Sequence, residues 1–195
     1  MSQRSTKHVI EKYDKAEFGF WLYLMTDIIL FASLFATYMI LRPNNADGPT
    51  AAELLDPSYA LIETIVLLAS SFTCGIAVLA LRFGKKTLSI ASLIFTLLLG
   101  ATFLVLELSE FTELVHEGHT WQVSAFLSGF FTLVATHGLH IFIGLIWGSA
   151  MLTYVLKFGR TDDSMRKLTL FSLFWHFLDL VWIFIFSIVY LGAAL

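Results

Sequence analysis

Five apolar blocks, each longer than twenty residues, alternate with short polar stretches along this chain, over about 18–41, 60–81, 88–110, 124–156 and 168–195. The hydrocarbon core of a bilayer takes about 20 apolar residues of helix to cross, so each block predicts one transmembrane helix. The fold predicted is therefore all-α, an integral membrane bundle of five transmembrane helices (18–195) preceded by a polar segment (1–17). Pro43, Pro49 and Pro57, the only prolines, fall between the first two blocks, with the turn formers Asn44 to Gly48 among them. The 82–87 connection is short, which predicts an antiparallel hairpin of spans two and three. The fourth block is longer than a perpendicular crossing requires, so it predicts a tilted helix or one that continues into water.

Composition agrees with this pattern. Hydrophobic residues make up 57% of the chain and charged residues 14%, against about 45–50% and about 25% in soluble domains. Lys and Arg fall on one side of the predicted bundle. Arg4, Lys7, Lys12 and Lys15 precede span one; Arg82, Lys85 and Lys86 join spans two and three; Lys157, Arg160, Arg166 and Lys167 join spans four and five. Only Arg42 lies on the other side, and the 111–122 connection there carries Glu113, His116, Glu117 and His119 with no basic residue. The positive-inside rule then predicts a cytoplasmic N-terminus and a C-terminus outside. The first apolar block is too long for a signal-peptide core and has no small-residue cleavage pattern, so it reads as a span. Cys74 is the single cysteine, which leaves no internal disulfide. There is no phosphate loop, no Ser-His-Asp set and no nucleic-acid surface.

Chemistry, if present, lies in the polar groups that the membrane makes costly. They are Asp27 in span one, Glu63 in span two, Glu107 and Glu110 in span three, His137 and His140 in span four, and His176 and Asp179 in span five. Ser70, Cys74 and Ala77 continue the Glu63 face with small residues. Gly144 and Gly148 continue the His137 face at the four-residue spacing that lets helices approach closely. His176 and Asp179 share a helical face beside Trp175 and Trp182. These stripes read as helix contacts or as a proton path or polar cleft. A metal at His137, His140 and His176 is disfavoured, because the carboxylates look scattered in depth rather than gathered at one level.

The motifs Phe18-Gly19-Phe20-Trp21-Leu22-Tyr23-Leu24-Met25-Thr26-Asp27, Glu63-Thr64-Ile65-Val66-Leu67-Leu68-Ala69-Ser70-Ser71, Glu107 with Glu110-Phe111, Thr136-His137-Gly138-Leu139-His140 to Gly144, and Phe174-Trp175-His176-Phe177-Leu178-Asp179-Leu180-Val181-Trp182 resemble subunit III of the haem-copper oxidase family. The five spans and the Ser172-Leu173-Phe174-Trp175-His176-Phe177-Leu178-Asp179 wording resemble its ubiquinol-oxidising branch. The resemblance implies a non-catalytic subunit of a proton-pumping terminal oxidase in the bacterial inner membrane. It implies no cofactor in this chain, with haems and copper in subunit I, and partners in subunit I, subunit II, a small subunit IV and phospholipid. Larger relatives have seven spans and a lipid-holding cleft; this chain looks like the five-span form. Asp27 matches a position near the proton-uptake side of subunit I. The remaining polar positions, with Trp175 and Trp182, match packing, lipid or subunit-I contacts rather than redox ligands.

Two readings compete. Within the family, the chain could serve a cytochrome c oxidase or a nitric-oxide-reductase-associated complex. Outside it, Asp27, His176 and Asp179 could be relays of a free-standing proton-coupled transporter, against which stand an odd span number and the lack of an inverted repeat.

Overall fold

The computed structural model describes residues 3–44 and 50–194, with side chains described from Lys15 and as far as Ala193. Arg4, Lys7 and Lys12, the 45–49 turn formers and Leu195 lie outside the described side chains. The described chain is helical: α1 (Gln3–Leu41), a single turn α2 (Ala51–Leu54), α3 (Pro57–Arg82), α4 (Lys86–His116), α5 (Ala125–Phe158) and α6 (Asp162–Ile185). A π turn (Phe186–Leu191) and a terminal α turn (Gly192–Ala194) complete α6. Five helices are long and apolar enough to cross a membrane, and no strand occurs among the described residues.

Local chemistry sets the helix ends. Asp56 caps α3 by accepting from Ser58 N–H at 2.8 Å, with Pro57 at the first helical position. Ser124 caps α5 at 3.1 Å and Thr161 caps α6 at 3.0 Å in the same way. Gly84 ends the α3 turn at φ 76°, which lets Lys85 N–H reach back to Ala80 O at 2.8 Å. Gly118, at φ 87°, does the same for α4, with His119 N–H on Leu114 O at 2.9 Å.

The helices overrun several apolar blocks. Helix α4 continues past Glu110 to His116, so the connection to α5 is shorter than the polar composition of 111–122 predicts. Phe111 explains part of this extension, because its ring packs on Phe131 of α5 at 5.0 Å. Helix α6 starts at Asp162, six residues before the apolar block begins, because Asp162 and Asp163 suit a helix N-terminus. Helix α5 has 34 residues and is about 51 Å long, well beyond a hydrocarbon core of about 30 Å. The basic residues also have structural work: Lys86 donates to Leu156 O at 2.8 Å near the end of α5, and the Arg42 guanidinium donates to Gly192 O.

Helices α3, α4, α5 and α6 form a closed ring, each packed on its two neighbours. Helix α1 lies outside this ring against α5 and α6. Among its described side chains it buries a narrow stripe, Leu24, Asp27, Phe31 and Tyr38. One end of the bundle carries the basic turns 83–85 and 159–161, and the other carries α2 and the acidic 117–124 turn. Below, these are the basic end and the acidic end.

Candidate functional site

The interior of the ring is built around three aromatic side chains of the last helix. Trp175, wholly buried, donates from Nε1 to Ser70 Oγ on α3 at 3.0 Å. Its indole fits only because α4 and α5 present glycines: a Cβ on Gly100 would stand 2.6 Å from the ring, and one on Gly144 2.8 Å. Gly148 makes the same kind of room for Phe171. Trp182, one heptad further on, donates to Thr64 Oγ1 on α3 at 3.0 Å and meets Phe103 of α4 edge-on at 4.6 Å. His137 of α5 stacks on the same indole at 5.3 Å. Tyr190 makes the third layer, donating to Glu110 Oε2 on α4 at 2.6 Å and packing on Phe130 of α5 at 6.2 Å.

The spacing of these layers explains the π turn. Trp175 and Trp182 are seven residues apart, close to two α-helical turns, whereas Tyr190 follows after eight. The extra residue accommodated by the π turn returns the tyrosine to the interior. Serine and threonine on α3 and α4 complete the lining: Ser70 donates to Thr96 O at 2.9 Å, and Ser89 donates to Ala77 O at 2.8 Å.

A second constellation joins α1 to the ring. Asp27 is buried against α5, with its Oδ2 3.8 Å from His140 Nε2. His140 Nδ1 lies 2.7 Å from Thr136 O, so that nitrogen carries the hydrogen and Nε2 faces the carboxylate. Phe31 covers the pair from α1, 5.2 Å from the His140 ring.

A third constellation lies toward the acidic end. Glu63, six residues into α3, and Glu110, six residues before the end of α4, come to one level because the two helices are antiparallel. Glu107 lies one turn deeper, its carboxyl pressed against the backbone of Gly138 on α5. All three are buried. Counting from each loop rather than along the chain shows why these three come together, while Asp27 and Asp179 lie at other depths on α1 and α6. This grouping does not make a metal centre of the histidines: no group of three His, Cys, Asp or Glu side chains converges as a metal set among the described residues. Glu113 and His116 are at ligand-like spacing but are exposed beyond the apolar block.

The expected pair in α6 is divided. Asp179 is buried, whereas His176 is exposed on the side of the bundle, close to Gly75 of α3. No ion pair joins them among the described residues. A three-residue step rotates the helix by about 60° short of a full turn, which here is enough to put one group inside the ring edge and the other outside it. Tyr190, Thr64, Phe103 and Tyr59 were not among the residues picked out by sequence. Phe103 lies on the same stripe as Glu107, so periodicity could have found it, whereas Thr64 is about 120° around α3 from Ser70. Tyr190 is off that period and could not be found without the π turn.

On the membrane side of α4 and α5 lies a largely apolar cleft of about 610 Å³, lined by Phe111, Phe131 and Ala135, with Thr112, His116 and Trp121 toward the acidic end.

Residues 2–194 match the family described as cytochrome c oxidase subunit III. The chain is similar to the cytochrome bo(3) ubiquinol oxidase subunit 3 of Pseudomonas aeruginosa, 47% identical over 188 residues that cover 96% of this chain and 90% of the relative. It is also similar to the quinol oxidase subunit 3 of Bacillus subtilis, 47% identical over 89% of this chain and 85% of that one. A cytochrome c oxidase subunit 3 from Bacillus sp. is 45% identical, over 89% of this chain and 84% of its own length.

Proposed function

This chain belongs to the cytochrome c oxidase subunit III family, and from that premise we propose that it is the subunit III of a proton-translocating terminal ubiquinol oxidase. The observation that carries this reading is the likeness, over nearly the whole chain, to subunits named for ubiquinol and quinol oxidases. In this reading the chain performs no redox step itself. Electrons pass from ubiquinol to oxygen through haems and copper held by subunit I, and subunit III braces that subunit within the membrane. Subunit II and a small subunit IV complete the complex, and phospholipid covers the remaining apolar sides, the α4–α5 cleft among them. The basic end faces the cytoplasm and the acidic end the outside of a bacterial inner membrane, with the polar 1–17 segment cytoplasmic.

Two features of the chain support a role as a bound subunit. His176 is exposed halfway along a membrane-spanning helix, where an imidazole needs a polar partner or cavity, and no ion pair holds it among the described residues. Helix α1 is held to the ring by one narrow stripe and offers its other faces outward. Asp27 and His140, at the junction of α1 and α5, are then placed on the part of the chain most open to a neighbour. Asp27 lies 12 residues from Lys15, about 18 Å along the helix from the basic end.

The similarity to a cytochrome c oxidase subunit 3 at nearly the same identity favours a second donor for the complex. One experiment separates the possibilities. The tagged chain is purified in mild detergent, and the haem content and oxygen consumption of the preparation are measured with ubiquinol and with reduced cytochrome c. The proposal expects a haem-bearing partner and turnover with ubiquinol. Turnover with cytochrome c alone would move the chain to the other branch. A haem-free chain that transports a solute in vesicles would overturn the subunit reading.

A further inference from the structure

The three carboxyls at the acidic end lie in unusual surroundings. Glu63 and Glu107 are 0% and 1% exposed, and none of their four carboxyl oxygens has a hydrogen-bond partner within the protein. Both lie within electrostatic reach of Glu110 and of each other. No lysine or arginine is ion-paired with any of the three among the described residues. The other titratable groups facing them are Tyr59 and Asp56 at the start of α3, Glu113 of α4 and Tyr190 of the π turn. On α5, Gly138 packs directly on Glu107, and the neighbouring His137 is turned to the Trp182 indole. None of these supplies a fixed positive charge.

Three ionised carboxylates in such a place would each carry a large desolvation penalty and would repel one another. Together such penalties are comparable with the whole margin by which folded proteins are stable. The bundle nevertheless brings them together from two helices that pack closely along their length. The counter-charge that fits a site with which no lysine or arginine pairs among the described residues is the proton. A protonated carboxyl also gains an O–H donor, which an adjacent carboxyl oxygen can accept.

Access is built in at one side. Glu110 forms part of the lining of a polar pocket of about 270 Å³ with Glu53, Asp56, Tyr59, Glu113 and Glu117, at the acidic end of the bundle. The same Glu110 accepts the hydrogen bond of Tyr190, which closes the ring interior at this level. Behind it stand Glu63 and Glu107.

We propose that Glu63, Glu107 and Glu110, closed over by Tyr190, form a proton-binding site in the membrane-spanning part of this chain, filled from the acidic end through Glu110. Its ligand is the proton alone; each proton bound forms one O–H bond and removes one negative charge. Glu110 exchanges protons with water in the pocket, and Glu63 and Glu107 hold them out of reach of bulk water. All the residues belong to this chain, so the inference stands or falls separately from the identity of the electron donor.

Infrared spectroscopy of the complex as purified, at neutral pH, tests it. The wild-type minus Glu107→Gln difference spectrum is expected to show the loss of one protonated-carboxyl carbonyl band, and Glu63→Gln the loss of another. Both variants keep the shape of the side chain, and either alone suffices should the other fail to assemble. A loss confined to the ionised-carboxylate bands in both variants would overturn the proposal. Transfer into heavy water is expected to shift the acid bands, and Glu110→Gln to slow that shift at least tenfold. An unchanged exchange rate in Glu110→Gln would overturn entry through Glu110.

Discussion

Gly144→Ala is the substitution that tests the ring interior most directly. The added methyl would stand 2.8 and 3.1 Å from two carbons of the Trp175 ring and 3.2 Å from Phe174. Carbon atoms rest at about 3.5–4.0 Å, so the indole would have to withdraw by roughly 1 Å. It has nowhere to go, because Gly100 already approaches its other edge, where a Cβ would be 2.6 Å away. Withdrawal would also break the bond from Trp175 Nε1 to Ser70 Oγ. Overpacking of a tight interior costs about 1–3 kcal/mol and the lost hydrogen bond about 1 kcal/mol, so the expected loss is about 2–4 kcal/mol. The readout is Cys74, the only cysteine of the chain and wholly buried. Its labelling by a thiol-reactive dye, followed on the separated subunit as temperature rises, reports opening of the ring. Gly19→Ala is the control, since a Cβ there meets nothing within 4 Å; inside α1 it should be neutral or stabilising by up to about 1 kcal/mol. Trp175→Phe should make the Gly144→Ala change cheaper, as a coupled pair does. Equal labelling temperatures for Gly144→Ala and Gly19→Ala would refute the reasoning.

Further expectations concern single groups. Tyr190→Phe removes the 2.6 Å bond to Glu110 and should lower stability by about 1–2 kcal/mol in the same thermal assay; no change would mean that Glu110 finds another donor. His137→Leu removes two buried nitrogens that lack partners and loses the stack on Trp182, so it should change stability by no more than about 1 kcal/mol. A larger loss would reveal a partner for the imidazole. Asp27→Ala should leave oxygen chemistry largely intact while altering sustained turnover or assembly, read by oxygen electrode and by subunit stoichiometry; immediate loss of haem from an assembled complex would contradict it. Asp179→Asn should be neutral or stabilising, since it replaces a buried carboxylate that has an unpartnered oxygen with an uncharged amide; a loss above about 2 kcal/mol would contradict that.

Much of this architecture can be read from the chain. Apolar blocks reveal five helices because a bilayer imposes one length on all of them. The small-residue stripes through Ser70, Gly144 and Gly148 reveal contact faces, and all three residues touch or face α6 or its neighbours. Pairings between helices are less legible. His176 and Asp179 look like partners because they are near in sequence, yet the edge of the buried face passes between them. Glu63 and Glu110 look unrelated because 47 positions separate them, yet antiparallel packing sets them level. The π turn escapes periodicity altogether, because it is the place where the period changes. Helix ends are also blurred, since Asp162 and Glu113 read as loop residues by polarity and are helical through capping and packing.

The aromatic layers of α6 bear on how the protein is made. Trp175, Trp182 and Tyr190 are the side chains that satisfy Ser70, Thr64 and Glu110, and they arrive on a helix made after α3, α4 and α5. Until then α3, α4 and α5 can form only an open trough, with hydroxyls and carboxyls turned toward lipid. A nascent chain stalled before α6 therefore carries a visible mark of incompleteness in the membrane, one that a quality-control protease or a holding chaperone could read without knowing the sequence. Insertion of α6 erases that mark in a single step, so burial of the whole polar trough waits on the arrival of one helix.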